Sequence, residues 1–257
     1  MPPVRRKSRR PTILIVLGLL AVAIFVLATL PAGIVAGRLE RHGVTVDAVG
    51  GTIWSGRARG VAARGAHVGD LQWTLRPMAL LRGALAGHAV VVGKDARIET
   101  DFSRTWAGRL QLESARADLS FAALAALGVP VARNWRGRIA ADLSSLVLEA
   151  DWPVAALGTI DVRDLTGPPP RSTKLGDYRL TFGEPQGAAD NLTATVAQTE
   201  GPLLLDGELS LGRDRSFHLE GRVAPRGTPS QDLAYLLQAL GPPDAGGRRP
   251  FSASGTF

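Results

Sequence analysis

Gly51-Thr52-Ile53-Trp54-Ser55-Gly56 sets a tryptophan between turn-forming glycines, at the head of a long succession of short alternating segments. Upstream, Val44-Thr45-Val46-Asp47-Ala48-Val49 alternates with β-branched residues and reads as a strand. Gly50-Gly51 ends it, and Thr52-Ile53-Trp54 starts the next, continued through Ser55-Gly56 to Val61. Glycine punctuates strands and tryptophan suits a pleated, half-buried surface, so this stretch argues for β structure built from hairpins.

A weaker echo, Asn134-Trp135-Arg136-Gly137, lies further along. Trp54-x-Gly56 is followed by Trp73-Thr74-Leu75-Arg76-Pro77, and Trp135-x-Gly137 by Trp152-Pro153, at spacings of 19 and 17 residues. Four of the five tryptophans take part, which points to an internal duplication. They read as strand aromatics filling a core; a ligand platform is the sharper alternative.

Between and beyond these motifs the pattern stays β. Ala66 to Leu75 carries Leu71, Trp73 and Leu75 in alternation on one face. Pro77 to Gly83 has proline at a first helical position and glycine at its end, and reads as one helical turn. Strands are expected over Ala84–Val92 and Ala96–Phe102, with a turn at Gly93-Lys94-Asp95, and a further pair over Thr105–Leu119. In the second half they are expected over Ile139–Leu148, Gly158–Leu165, Tyr178–Phe182, Asn191–Gln198, Pro202–Leu211, Ser216–Ala224 and Pro250–Phe257. Two helices interrupt the series. Ser120–Leu127 is capped by Ser120 and bounded by Gly128 and Pro130. Ser230–Leu240 repeats that plan, ending at Gly241-Pro242. Gly167-Pro168-Pro169-Pro170 is a loop. The fold class is therefore mainly β: an N-terminal transmembrane helix, then a curved antiparallel sheet. That sheet is built from two repeated strand-meander-plus-short-helix units, about 44–130 and 131–257. The helices cover one side or plug an end.

The helix assignment at the N-terminus rests on charge. No charged residue occurs between Arg10 and Arg38, and Ile13 to Leu30 is an apolar run of 18 residues. As a helix it would span about 27 Å, close to the hydrocarbon thickness of a bilayer. Arg5, Arg6, Lys7, Arg9 and Arg10 precede it, so the positive-inside rule puts the N-terminus in the cytoplasm. We read residues 1–12 as a basic tail, 13–36 as a signal-anchor and 37–257 as an exported β domain. A cleaved signal peptide competes, but its apolar region would be shorter, and Leu30-Pro31-Ala32-Gly33-Ile34 offers no clean cleavage site.

The same tail supplies five of the net +7 charges, so the rest of the chain is nearly neutral. Its arginines are scattered and aromatics make up only 5%, which argues against a nucleic-acid surface. With no cysteine there are no disulfides, thiolate metal sites or cysteine nucleophiles. The four histidines are far apart, with no zinc-protease spacing. Ser55 lacks the first glycine of a nucleophile elbow. Gly87 to Lys94 has the wrong spacing for a phosphate loop, and Asp95 stands where a hydroxyl would meet magnesium. Asp95, Glu99 and Asp101 read as a solvated strand face rather than an acid–base pair, with no other polar group converging on them. No enzyme, metal or cofactor is expected.

The basic N-terminus, the single anchor, Gly51-Thr52-Ile53-Trp54-Ser55-Gly56, Trp73 with Pro77 and Leu80-Leu81, and the ending Leu219-Glu220-Gly221-Arg222-Val223-Ala224-Pro225-Arg226 with Leu236-Leu237-Gln238-Ala239-Leu240-Gly241 resemble the type II secretion system protein N family. The resemblance runs from Arg5 to Phe257, and Pro242-Pro243-Asp244-Ala245 departs from it as a proline-rich last linker. It implies a single-pass inner-membrane protein of Gram-negative bacteria, mostly periplasmic, accessory to the export of folded proteins, with neighbouring secretion subunits as partners. It carries over no catalytic residue. Gly51, Thr52, Trp54, Gly56, Trp73, Pro77, Trp135, Gly137, Gly221 and Gly241 are expected as structural signature positions. The alternative is a periplasmic lipid-binding or lipid-transfer module whose apolar groove is lined by residues such as Leu71, Trp73, Val90 and Val92.

Overall fold

The computed structural model describes residues 30–33, 44–63, 66–126, 134–167, 172–183 and 191–256. Fourteen strands form one antiparallel sheet in sequence order: β1 (Val44–Thr45), β2 (Ala48–Gly51), β3 (Ser55–Ala63), β4 (Ala66–Leu75), β5 (Ala84–Val92), β6 (Ala96–Thr105), β7 (Leu110–Ser120), β8 (Arg136–Glu149), β9 (Trp152–Thr166), β10 (Lys174–Phe182), β11 (Leu192–Glu200), β12 (Leu203–Leu211), β13 (Ser216–Pro225) and β14 (Arg249–Thr256). Each strand from β3 onward pairs with the next, while β1 and β2 share β3. Hairpins need only short turns, so a chain of closely spaced alternating segments lays down a meander without crossovers. The expected repeat boundary near residue 130 does not interrupt the sheet: β7 pairs with β8 across it, from Leu110↔Leu148 to Ser120↔Arg138.

Register fixes two unlike faces. Trp73, Ala89, Thr100 and Phe102 lie on one face, as do Leu143, Ile160, Leu180, Val196, Leu209 and Leu219 further along. The other face carries cross-strand ion pairs, among them Arg179–Asp161 at 2.6 Å, Arg116–Asp142 at 3.9 Å, and Arg138–Asp118. The apolar face holds a core of Leu143, Ala156, Phe182, Leu192 and Ala194. The sheet also bends: Cα atoms of β9 and β11 come within 8 Å although β10 lies between them, less than two ordinary strand spacings. Two register shifts between β9 and β10, one with the extra residue in β10 between Lys174 and Gly176 and one with it in β9 at Arg163–Asp164, give the strands a local bend there.

Both helices close the same end of the sheet. Helix α1 (Phe121–Ala126) follows β7, with the Ala123 amide donating to Ser120 Oγ at 3.1 Å, and lies against β4, β7 and β8. Helix α2 (Gln231–Ala239) follows β13, capped by Ser230. Its Leu233 and Leu237 are buried with Leu203 and Val223 and packed on by Leu175, Leu205 and Phe251. The opposite end is finished by turns alone among the described residues: Thr52–Trp54, a 3₁₀ helix at Pro77–Arg82, Trp106–Arg109, Ala150–Asp151 and Gly212–Arg215.

No helix among the described residues is long and apolar enough to cross a membrane. The anchor expected over 13–36 falls outside them except for residues 30–33.

Candidate functional site

The signature around Trp54 builds the turn end. Thr52–Trp54 is the turn itself rather than the start of a strand, and β3 begins at Ser55. The Thr52 amide donates to the Ser55 carbonyl at 2.9 Å, and the Ser55 amide donates to Thr52 Oγ1 at 3.2 Å. Gly51 sits at φ 91°, where a Cβ would lie 2.5 Å from the Ser55 carbonyl oxygen. Gly56 pairs with Trp73, and a Cβ on it would lie 2.4 Å from the Trp73 ring. The indole therefore packs over the glycine, while its Nε1 donates to the Ile53 carbonyl at 2.9 Å. Trp54 accepts from the Leu75 amide through its carbonyl at 2.6 Å. Pro77 opens the 3₁₀ helix and Gly83 closes it in the left-handed region, at φ 73°.

The segment leaving the apolar run is tied to this turn. The Ile53 amide donates to Leu30, the Ala32 amide donates to Gly51, and Pro31 bridges to Thr52. Together with β1 to β5 it walls a partly enclosed cavity of about 420 Å³. Its lining is apolar throughout, with Ile53, Val61, Leu71, Trp73, Leu75 and Leu85 prominent. That volume lies within the range of small-ligand sites. Because the indole N–H is already satisfied, the lining among the described residues offers no polar hook, and a hydrocarbon chain suits it.

Of the four residues expected to line an apolar groove, the structure brings two together. Leu71 and Trp73 share the apolar face, opposite Val91 and Ala89. Val90 and Val92 pair with Gln72 and Asp70, and so lie on the other face. Ala89 to Val92 are four consecutive apolar residues, which leaves a period of two without a phase. Leu75 lines the cavity too, on the face its alternation with Leu71 and Trp73 implies, whereas Ile53, Val61 and Leu85 reach it from neighbouring segments whose register only strand pairing sets.

The second tryptophan pair is placed differently from the first. Trp54 and Trp73 stand at one end of the β3–β4 hairpin. Trp135 precedes β8, whereas Trp152 opens β9 across from Glu149 at the far end of the β8–β9 hairpin. Gly137 marks a bulge at φ 137°, where a Cβ would meet the Arg163 carbonyl oxygen at 2.6 Å. Gly221 faces Gly207, with the Phe251 ring over it. Gly241 terminates α2 at φ 96°.

On the polar face, the acids near β6 do have partners. Arg76 pairs with Asp101 at 2.8 Å, and His88 lies 3.6 Å from Asp101 and 3.9 Å from Glu99. Arg76 and His88 come from neighbouring segments, so sequence spacing could not show the convergence. Arg76 is exposed and His88, Glu99 and Asp101 are half-buried, so water still reaches every member and this is a solvated ion network. An open depression of about 870 Å³ lies further along that face, around Gly207 and Gly221, bordered by Asp206, Glu208, Glu220 and Arg222. Among the described residues, no group of three or more His, Asp or Glu is placed to hold a metal ion. Two perturbed groups are structural. The Arg179 hydrogen bond holds Asp161 below the usual carboxylate range. Burial pushes the Tyr178 phenol up to about 12, while its hydroxyl donates to the Leu175 carbonyl at 3.0 Å.

No curated protein and no solved structure matches this chain. A family model does: the one described as type II secretion system (T2SS), protein N, matches residues 42–252, from the start of β1 into β14. With most of the sheet inside that match, the chain belongs to the type II secretion system protein N family.

Proposed function

We propose that this accessory component of type II secretion is a non-catalytic scaffold. Residues 13–36 anchor it once in the inner membrane with its N-terminus in the cytoplasm, and the sheet stands in the periplasm. There it joins other inner-membrane or periplasmic subunits of the machine. The observation that carries this reading is the contrast between the two sheet edges. At the first edge, β1 and β2 are two and four residues long, split at Val46–Asp47, and Pro31 bridges beside them. Short, interrupted strands and proline are how proteins blunt an edge. At the other, β14 pairs with β13 over all eight of its residues, and from Phe251 to Thr256 it carries no charge and no proline. Among the described residues nothing pairs with the outer side of that edge, and an edge of that length suits a partner strand added to the sheet.

Photo-crosslinking in living cells with the probe at Ser252 and Ser254 tests it. Adducts to other secretion subunits, lost when Ala253→Lys charges the edge while the sheet stays folded, are the expected result. Absence of adducts along all of β14 defeats the edge assignment.

A second reading, lipid binding or transfer, is favoured by the all-apolar cavity at Leu71 and Trp73. It predicts lipid adducts from a probe at Leu71 that persist when other secretion genes are deleted.

A further inference from the structure

We infer that the turn end of the sheet rests on a lipid bilayer, with Met78, Leu81 and Trp106 as the side chains that enter its interface. One of its supports is the membrane-anchor reading of residues 13–36, which the experiment below tests separately.

Three observations converge. Met78, Leu81 and Trp106 are 74%, 83% and 76% exposed, the most exposed large hydrophobic side chains among the described residues. They also form one patch. Residues three apart in a 3₁₀ helix eclipse one another, so Met78 and Leu81 share a side of Pro77–Arg82, while Ala79 and Leu80 are half-buried. Trp106 belongs to the neighbouring turn. Its amide donates to the Gly83 carbonyl at 3.3 Å, and its ring lies 3.1 Å from where a Gly83 Cβ would stand. Burying such a patch is favourable, and a soluble surface has no use for it.

The second observation is position. Leu30, where the apolar run ends, is hydrogen-bonded to Ile53 in the turn at this same end of the sheet. β3 begins, β4 ends, β5 begins, β6 ends and β7 begins there, so the patch and the exit of the run stand side by side. A helix leaving a bilayer at Leu30 would hold the patch against the surface it leaves. The third observation is the rim. Arg82, in the 3₁₀ helix, and Arg104, at the end of β6, flank the patch, with Arg76 and Arg109 beside them paired to Asp101 at 2.8 Å and to Glu149 at 3.8 Å. Guanidinium groups around an indole match an interface of phosphates over hydrocarbon. Both helices, and the core buried under α2, lie at the opposite end, away from this surface.

The test uses the full chain in liposomes of phosphatidylethanolamine and phosphatidylglycerol. Because the chain has no cysteine, single-cysteine variants carry a nitroxide label without background. Labels go at Leu81→Cys and Trp106→Cys in the patch, at Lys94→Cys at the other end of β5, and at Ala23→Cys within the apolar run. Collision with oxygen, which concentrates in lipid, is compared with collision with a water-soluble nickel chelate. The expected result is an oxygen preference at 81 and 106, shallower than at 23, and a nickel preference at 94. If 81 and 106 behave as 94 does while 23 is in lipid, this inference fails and the anchor reading stands. If 23 is aqueous while 81 and 106 are in lipid, the anchor reading fails and the patch stands as a surface-docking site. Labels at 81 and 106 shielded from both reagents would overturn the inference in favour of a protein partner.

Discussion

The two ends of the sheet are made from the same strands and finished in opposite ways. At one end the chain leaves β7 and β13 through α1 and α2; α1 lies against β4, β7 and β8, and α2 buries Leu233 and Leu237 on the sheet. Leu233 is 2% exposed there. At the other end the chain turns back within a few residues each time, and Leu81 is 83% exposed. One end is closed by its own helices; the other presents apolar side chains outward. The difference separates two kinds of hydrophobic residue that composition lumps together: those that hold this fold and those available to something else.

Substitution at the two ends gives the largest contrast. Leu233→Ala removes a fully buried side chain from the α2 core and is expected to cost about 3 kcal/mol. Leu81→Ala is expected to change stability by less than about 0.5 kcal/mol, since nothing is buried there to lose. Thermal or urea denaturation of the two variants side by side measures the gap. Equal losses at both ends would mean that Leu81 is covered by the protein itself, and the comparison would collapse.

A smaller effect sharpens what does hold the turn end together. There the packing is cross-strand, indole over glycine. Gly56→Ala places a methyl 2.4 Å from the Trp73 ring and 2.9 Å from the Gly50 carbonyl oxygen. The ring must move, at an expected cost of about 2 kcal/mol. Tryptophan emission is the accompanying signal, because the displaced indole loses its hydrogen bond to Ile53. No change in stability or emission would mean that the stack contributes nothing.

What the sequence disclosed follows the range of each interaction. The caps at Ser120 and Ser230, the turn at Gly93–Asp95 and the single helical turn from Pro77 to Gly83 are local, and each is legible in a few residues. The strand series was legible because glycines and acids bound alternating segments. Which face a segment shows is not local. Val90 and Val92 fall on the polar-face side because β5 is apolar at four consecutive positions, and only its pairing with β4 sets the phase. The two tryptophan motifs share spacing yet sit at different ends of their hairpins, because β8 and β9 run to 14 and 15 residues where β3 and β4 run to 9 and 10. The outward patch of Met78, Leu81 and Trp106 was invisible for a simpler reason: an apolar residue is by default assigned to the inside.

The helix-closed end also differs from the turn end in its response to pH, through Tyr178. That side chain is buried in β10, and it donates to Leu175, which packs on the α2 core. Burial favours the neutral phenol and raises its pKa from 10.0 to about 12. A raised folded-state pKa means that the folded chain holds its proton longer than the unfolded one. The stabilisation is therefore fully present below about pH 10 and is lost as pH climbs through about 12, by roughly 2 kcal/mol. Tyr178→Phe removes the titrating group and leaves Tyr235. The variant is expected to lose about 1 kcal/mol at neutral pH, where the hydrogen bond to Leu175 is missing, and to fall less steeply than the parent between pH 10 and 12. Parallel curves would remove Tyr178 as the cause. Because the turn end holds no buried phenol, labels at Leu81 and Trp106 should keep their environment over the same range while the α2 core loosens.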